Sequence, residues 1–206
     1  SYFHSASKAF DYYYGEFEKL GYTTAGALDT WCIDKESSMP LLRSALVLFD
    51  TTQEQAYIEK AEKISYYLST WLWHYKASYD ADEDATRYDY NTFGATSVST
   101  QHHHLDVYAL MWVSEWLRLA ELSGNDVWRE KAKAIWTNGC QILSDGTLEI
   151  NGLIRPVGSQ NEAFFECAWG GYPEKKRIND WLVAWPGAFR LETMRNISDW
   201  GALDNE

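Results

Sequence analysis

Three stretches lying far apart in the chain gather residue types that can move protons and hold hydroxyl-rich ligands. DTWCIDKES carries Asp29, Trp31, Asp34 and Glu36; STQHHHLD carries Gln101, His102, His103, His104 and Asp106; SQNEAFFECAWGG carries Gln160, Asn161, Glu162, Glu166 and Trp169. Cleavage of a glycosidic bond needs one carboxylic acid that keeps its proton for the leaving oxygen and a second carboxylate that activates water or attacks carbon. Asp106, Asp34 and Glu162 are the candidate catalytic acids. Trp31, Glu36, His102, His103, His104, Gln160, Glu166 and Trp169 are the candidate substrate contacts. Plainer uses stand beside these. Asp34 or Glu36 can complement a helix dipole, and Glu162 can be structural, although burial of a loop acid raises its pKa. Consecutive histidines at a helix start diverge by about 100°, so one of the three is expected to face inward. With no i, i+4 histidine pair and no H-E-x-x-H pattern, no metal site and no cofactor is expected. The Asp80 to Asp84 run lacks the glycine and terminal glutamate of a calcium loop and reads as a solvated acidic loop.

Helices must position these residues. AFDYYYGEFEKLG has helical spacing and stops at Gly21. Ser37 or Ser38 can cap MPLLRSALVLF, with Pro40 in its first turn. A short DTT turn leads to QAYIEKAEKISYYLSTWLWHY, started by Thr52 with Glu54 or Gln55 nearby. A fourth helix runs from about His103 through LDVYALMWVSEWLRLAEL. A short SGND turn, with Asn125 or Asp126 as cap, then opens VWREKAKAIWTNGCQIL. The last helix, NDWLVAWPGAFRLETMR, is expected to bend at Pro186 and Gly187. Two connectors, 76–100 and 144–178, far exceed the usual ~4 to 6 residues and are therefore candidates for function. The second contains GTLEINGLIRP, a β-hairpin turning at Asn151-Gly152.

The pattern repeats. A shift of 71 positions lays YIEKAEKI (57–64) on WREKAKAI (128–135), and Leu46 and Leu48 on Leu117 and Leu119. Two copies of one αα-hairpin put both short turns at one end of the stack. The long connectors and the starts of helices two and four then converge at the other end, where helix N-termini offer free N–H groups.

Composition narrows the partners. Eighteen Lys and Arg against 30 Asp and Glu give a net charge of −12, which repels nucleic acid. No apolar run approaches the ~20 residues of a membrane span. Cys32, Cys140 and Cys167 lack CxxC spacing and read as reduced thiols. The chain opens at Ser1 with no signal-like segment, so a removed targeting segment and the compartment stay open. Eleven Trp and 14 Tyr exceed ordinary packing needs, which places some of them in a site where rings meet sugar faces. The whole of 1–206 reads as one all-α domain.

Repeated αα-hairpins with acidic helix starts, Trp-rich loops and short back turns resemble the six-hairpin glycosidase superfamily, nearest to the unsaturated glucuronyl and rhamnogalacturonyl hydrolases. The resemblance implies part of an (α/α)6 toroid holding carbohydrate at one mouth, with the protonating carboxyl falling on Asp34 or Asp106, Asp106 preferred. Six helices make three hairpins, half a ring, so a missing N-terminal half or a homo-oligomer is expected to close it. The expected function is a glycoside hydrolase, or its C-terminal part, acting on oligosaccharides that include uronic acids, whose carboxylates Arg87, Arg155, Lys175, Lys176 and Arg177 could receive. Two alternatives stand: a polysaccharide lyase on the same scaffold, using His102 to His104, Tyr88 or Tyr90 and Gln160-Asn161, or a non-catalytic carbohydrate-binding domain.

Overall fold

The computed structural model describes residues 2–25, 32–100, 104–165 and 177–204. Among them seven helices are found: α1 (Tyr2–Leu20), α2 (Ser38–Thr52), α3 (Ala56–Ser69), the single turn α4 (Asp84–Arg87), α5 (Val113–Ser123), α6 (Val127–Gly139) and α7 (Trp185–Asn196). They pack chiefly as pairs. α2 lies against α3 and α5 against α6, each pair joined by a short turn, while α1 packs on α2 and α7 packs on the 3-10 turn Tyr108–Trp112 that precedes α5. No toroid is shown by these helices.

Shifted by 71, the bounds of α2 become 109–123, which the 3-10 turn and α5 cover together, and those of α3 become 127–140, matching α6. The shared positions are buried for one reason, since each unit turns the same face inward. Leu46 and Leu48 are buried like Leu117 and Leu119, and Ala61 and Ile64 like Ala132 and Ile135. Between the layers the gaps are filled by indoles. Trp112, Trp116 and Trp128 are fully buried, the second donating to Ser65 Oγ at 3.0 Å. Much of the aromatic excess is thus core packing.

Several local expectations are corrected. The fourth helix does not begin at His103: β4 (His104–Asp106) is a strand, paired antiparallel with β3 (Thr96–Ser97) and with β7 (Ala163–Phe165). Strand geometry wins because the two long connectors supply partners on either side, a non-local gain that helical spacing cannot register. α3 stops at Ser69, and Trp71 to Trp73 turn outward to bond β3 and its neighbours. Pro186 starts α7 instead of bending it, since a first-turn proline sacrifices no hydrogen bond. Ser37 occupies the cap position of α2 without capping; its hydroxyl donates to Thr24 O at 2.8 Å. Asp84 is buried, pairs with Arg87 and accepts from Ile178 N at 2.9 Å, so the acidic run is solvated only in part.

Other expectations hold. α1 ends at Gly21 with φ 77°. β5 (Glu149–Ile150) and β6 (Leu153–Ile154) form the hairpin turning at Asn151-Gly152, both with positive φ. A small sheet of β1 (Thr24–Ala25) and β2 (Cys32–Ile33) precedes α2 as β3 and β4 precede α5. Separately from these expectations, Cys32 is buried and Cys140 exposed, and no helix among the described residues is long and apolar enough to cross a membrane.

One close approach fixes a connector to α6. Gly94 has φ 87°, donates its N–H to Trp73 O at 2.9 Å, and lies so near the Ala134 carbonyl that a Cβ would overlap the oxygen. Gly94→Ala is expected to destabilise the fold by about 3 kcal/mol, from backbone strain plus overlap that neither chain can relieve. Chemical denaturation measures it.

Candidate functional site

Strand β4 and the segment before α2 meet at one end of the helix pairs. Their junction is the Lys35–Asp106 ion pair, between positions 71 residues apart. Lys35 is fully buried, and its ammonium donates to Asp106 Oδ2 at 2.9 Å, Ser97 O at 2.8 Å and Val98 O at 3.1 Å, which uses all three of its protons. The other Asp106 oxygen accepts from the Thr96 hydroxyl and from Tyr108 N at 3.0 Å. The register explains this, for Thr96 stands opposite Asp106 across the β3–β4 ladder. Asp106 is therefore a buried anion with both oxygens engaged.

Asp34 is held in the same manner. Its Oδ1 accepts from the Glu36 N–H, its own N–H donates to Thr23 O at 3.0 Å, and its carbonyl receives the Thr23 hydroxyl at 2.6 Å and the Tyr67 hydroxyl at 2.9 Å. The carboxyl caps the turn into α2. It is buried, as is Asp106.

Two further acids are half-buried and so reachable. Burial, reinforced by Asp34, Asp106 and Glu162 and opposed by Lys35, holds the Glu36 carboxyl above its ordinary range. Glu162, brought in beside β7, is likewise raised by burial and by Asp106, against the opposing effect of a hydrogen bond from Trp185 Nε1 at 3.3 Å. Tyr108 completes the cluster. Burial and the charges of Glu36, Asp106 and Asp34 keep its phenol protonated far above the usual range, and its ring packs on Trp185 and Phe189 with centroids 5.3 and 5.1 Å away. The ammonium of Lys35 lies 5.3 Å from the same ring.

Four of the expected site residues, Asp34, Glu36, Asp106 and Glu162, are thus brought into one electrostatic cluster from three segments. Gln160 is placed differently: it is buried, its Nε2 donating to Gly139 O and Gln141 O at 3.0 and 2.7 Å and its Oε1 accepting from Arg190 at 2.7 Å. His104 is buried on β4. Trp31, His102, His103, Glu166 and Trp169, with Asp29, Gln101, Cys167, Lys175 and Lys176, lie outside the described residues. Lys35, Thr96, Tyr108 and Trp185 were not anticipated. The signal for Lys35 is the repeat, because the same 71-residue shift lays it on Asp106. Among the described residues no group of three or more His, Cys, Asp or Glu has the geometry to hold a metal ion.

The raised carboxyls make a stability prediction with a definite sign. A folded-state pKa above the unfolded value stabilises below the unfolded pKa, and that contribution is lost as pH rises through the folded one. Glu36→Gln and Glu162→Gln are therefore expected to melt above the wild type at pH 8 and level with it at pH 4. Thermal unfolding at the two pH values tests this.

No protein-family profile, curated protein or solved structure matches this chain.

Proposed function

We propose that this chain is a glycoside hydrolase, or the C-terminal part of one, acting on oligosaccharides by carboxylate acid and base catalysis. One observation carries the reading: Glu36 and Glu162, from segments far apart in the chain, are half-buried near the same buried carboxyl, Asp106, and burial raises both above the ordinary carboxylate range. Glu36 has the more acidic surroundings and is assigned as the general acid. Glu162 accepts the Trp185 N–H, a bond that favours its charged form, and is assigned as the base or nucleophile. Asp34 and Asp106 serve as fixed anions behind them, with Lys35 holding Asp106 in place. The Tyr108, Trp185 and Phe189 rings offer the flat apolar surface on which a sugar face packs.

The two αα-pairs, with α1 packed on α2 and α7 on the turn before α5, are the kind of unit that an (α/α)6 toroid of the six-hairpin kind repeats, and the remaining hairpins are assigned to a preceding segment or a second copy. Among the described residues, Arg155 and Arg87 are engaged by Asp180 and Asp84, and the Gln160 amide is bonded to Gly139 O, Gln141 O and Arg190, which favours the hydrolase over a lyase that needs a free group to neutralise a uronate.

The assay is release of new reducing ends from a panel of neutral, amino and uronic oligosaccharides, with absorbance followed for unsaturated products. Reducing ends without new absorbance support the hydrolase. New absorbance identifies a lyase, and binding without turnover a carbohydrate-binding domain.

A further inference from the structure

A cavity of about 560 Å³ opens between α6 and the connector that follows α3, and none of Asp34, Glu36, Asp106 or Glu162 lines it. Its walls are tied together by the fold itself. Asn138 and Gln141 each donate to Asn91 O at 2.8 Å, and the Gly94 backbone lies against the Ala134 carbonyl. Two rings face the space: Trp73 is half-buried and fixed by its Nε1 bond to Ser97 Oγ at 3.0 Å, and Phe93 is 45% exposed. In a chain of net charge −12, Lys76, Lys131 and Lys133 line this cavity, against Asp89 and Glu130. Lys76 is answered by Asp89 at 3.0 Å. Lys131 has no carboxylate partner among the described residues; its polar partner there is His74 Nδ1, at 3.5 Å. The Nε2 of that ring lies 2.9 Å from Ser69 O, and because a carbonyl only accepts, Nε2 carries the proton and Nδ1 is the acceptor. A half-buried ammonium is thus met by a neutral ring alone, and burial holds it below its ordinary range.

A partly desolvated cation with no counter-ion is stabilised by a ligand that brings the anion. The two rings add flat apolar surface of the kind that packs on a sugar face. Glu130 accepts hydroxyls and repels a centre of multiple negative charge such as phosphate. The volume lies in the usual range of small-molecule sites, roughly 300 to 1,000 Å³. We propose that this cavity binds a uronate-bearing saccharide, its carboxylate paired with the Lys131 ammonium and its ring packed on Trp73 and Phe93. The site performs no bond cleavage; it holds an acidic sugar apart from the acid cluster, and it stands whether or not that cluster cleaves a glycosidic bond.

The test is calorimetric titration of the full chain with trigalacturonate, the matching neutral galactose trimer and inorganic phosphate. The uronate trimer is expected to bind about tenfold or more tightly than the neutral one, and phosphate more weakly than either. Lys131→Met should erase that preference, while Lys131→Arg, which keeps the charge, and Lys8→Gln, which removes an exposed charge on α1, should retain it. Phe93→Ala should weaken both trimers by about threefold to tenfold. The uronate preference should persist in Glu162→Gln, and its loss there would place the ligand at the acid cluster and overturn the proposal. So would a preference that survives Lys131→Met, equal weakening by Lys8→Gln, trimer binding untouched by Phe93→Ala, or phosphate that binds as tightly as the uronate. A neutral trimer that binds as well as the uronate, or no binding of either, also overturns it. Release of reducing ends is measured separately, so any of these failures leaves the glycoside hydrolase reading to its own assay.

Discussion

Glu162→Gln is expected to lower turnover of a cleaved oligosaccharide by about 10² to 10⁴-fold, the usual worth of a positioned acid or base, while the protein remains folded. The amide keeps the size of the carboxyl and can still accept from Trp185 Nε1, but it cannot take a proton from water or attack carbon. Glu36→Gln should cost a similar factor by removing the proton donor. The two losses should not multiply, because acid and base act in one transition state. Initial rates with circular dichroism as a folding control decide the matter, and a Glu162→Gln enzyme with wild-type turnover would remove Glu162 from the chemistry.

The second large effect concerns stability. Lys35→Met would leave Asp106 buried with no cation and would strand the carbonyls of Ser97 and Val98 without their donor. Breaking one side of a buried pair costs about 3 to 5 kcal/mol, a large share of the roughly 5 to 15 kcal/mol that holds a domain together. Removing both charges should cost less than the separate losses suggest. Lys35→Met with Asp106→Asn is therefore expected to recover part of the loss, and a double-mutant cycle in urea would show the coupling. Additive losses would mean that the pair is incidental to the junction of the two helix units.

How much of this could be read from the residues differs from element to element. The helix pairs were legible because both hydrophobic period and short turns are local signals, and the 71-residue repeat reinforced them. The gathering of Asp34, Glu36, Asp106 and Glu162 followed from that topology alone, since equal units bring their leading segments to one end. The immediate setting of Asp106 did not follow. LDVYALMW has apolar residues at helical spacing, yet His104–Asp106 pairs with strands from two connectors whose arrival no local pattern announces. Lys35 carries no local signal, because a lysine flanked by acids has the composition of a solvated surface. Only the ladder that brings Ser97, Val98 and Asp106 around it gives its charge a buried home. Trp185 was read as interior to a bent helix, and its place at the first turn of α7 depends on Pro186. The aromatic count likewise pointed to a site, although Trp112, Trp116 and Trp128 fill the space between helices.

The most direct measurement is the titration of the Glu36 and Glu162 side-chain carboxyls by carbon-13 NMR, in the wild type and in Asp106→Asn. Both carboxyls should titrate above the ordinary glutamate range, and both should move down when the Asp106 charge is removed, because that charge raises each of them. Two ordinary glutamate titrations, indifferent to Asp106, would contradict the convergence of the three segments on which the proposed chemistry depends.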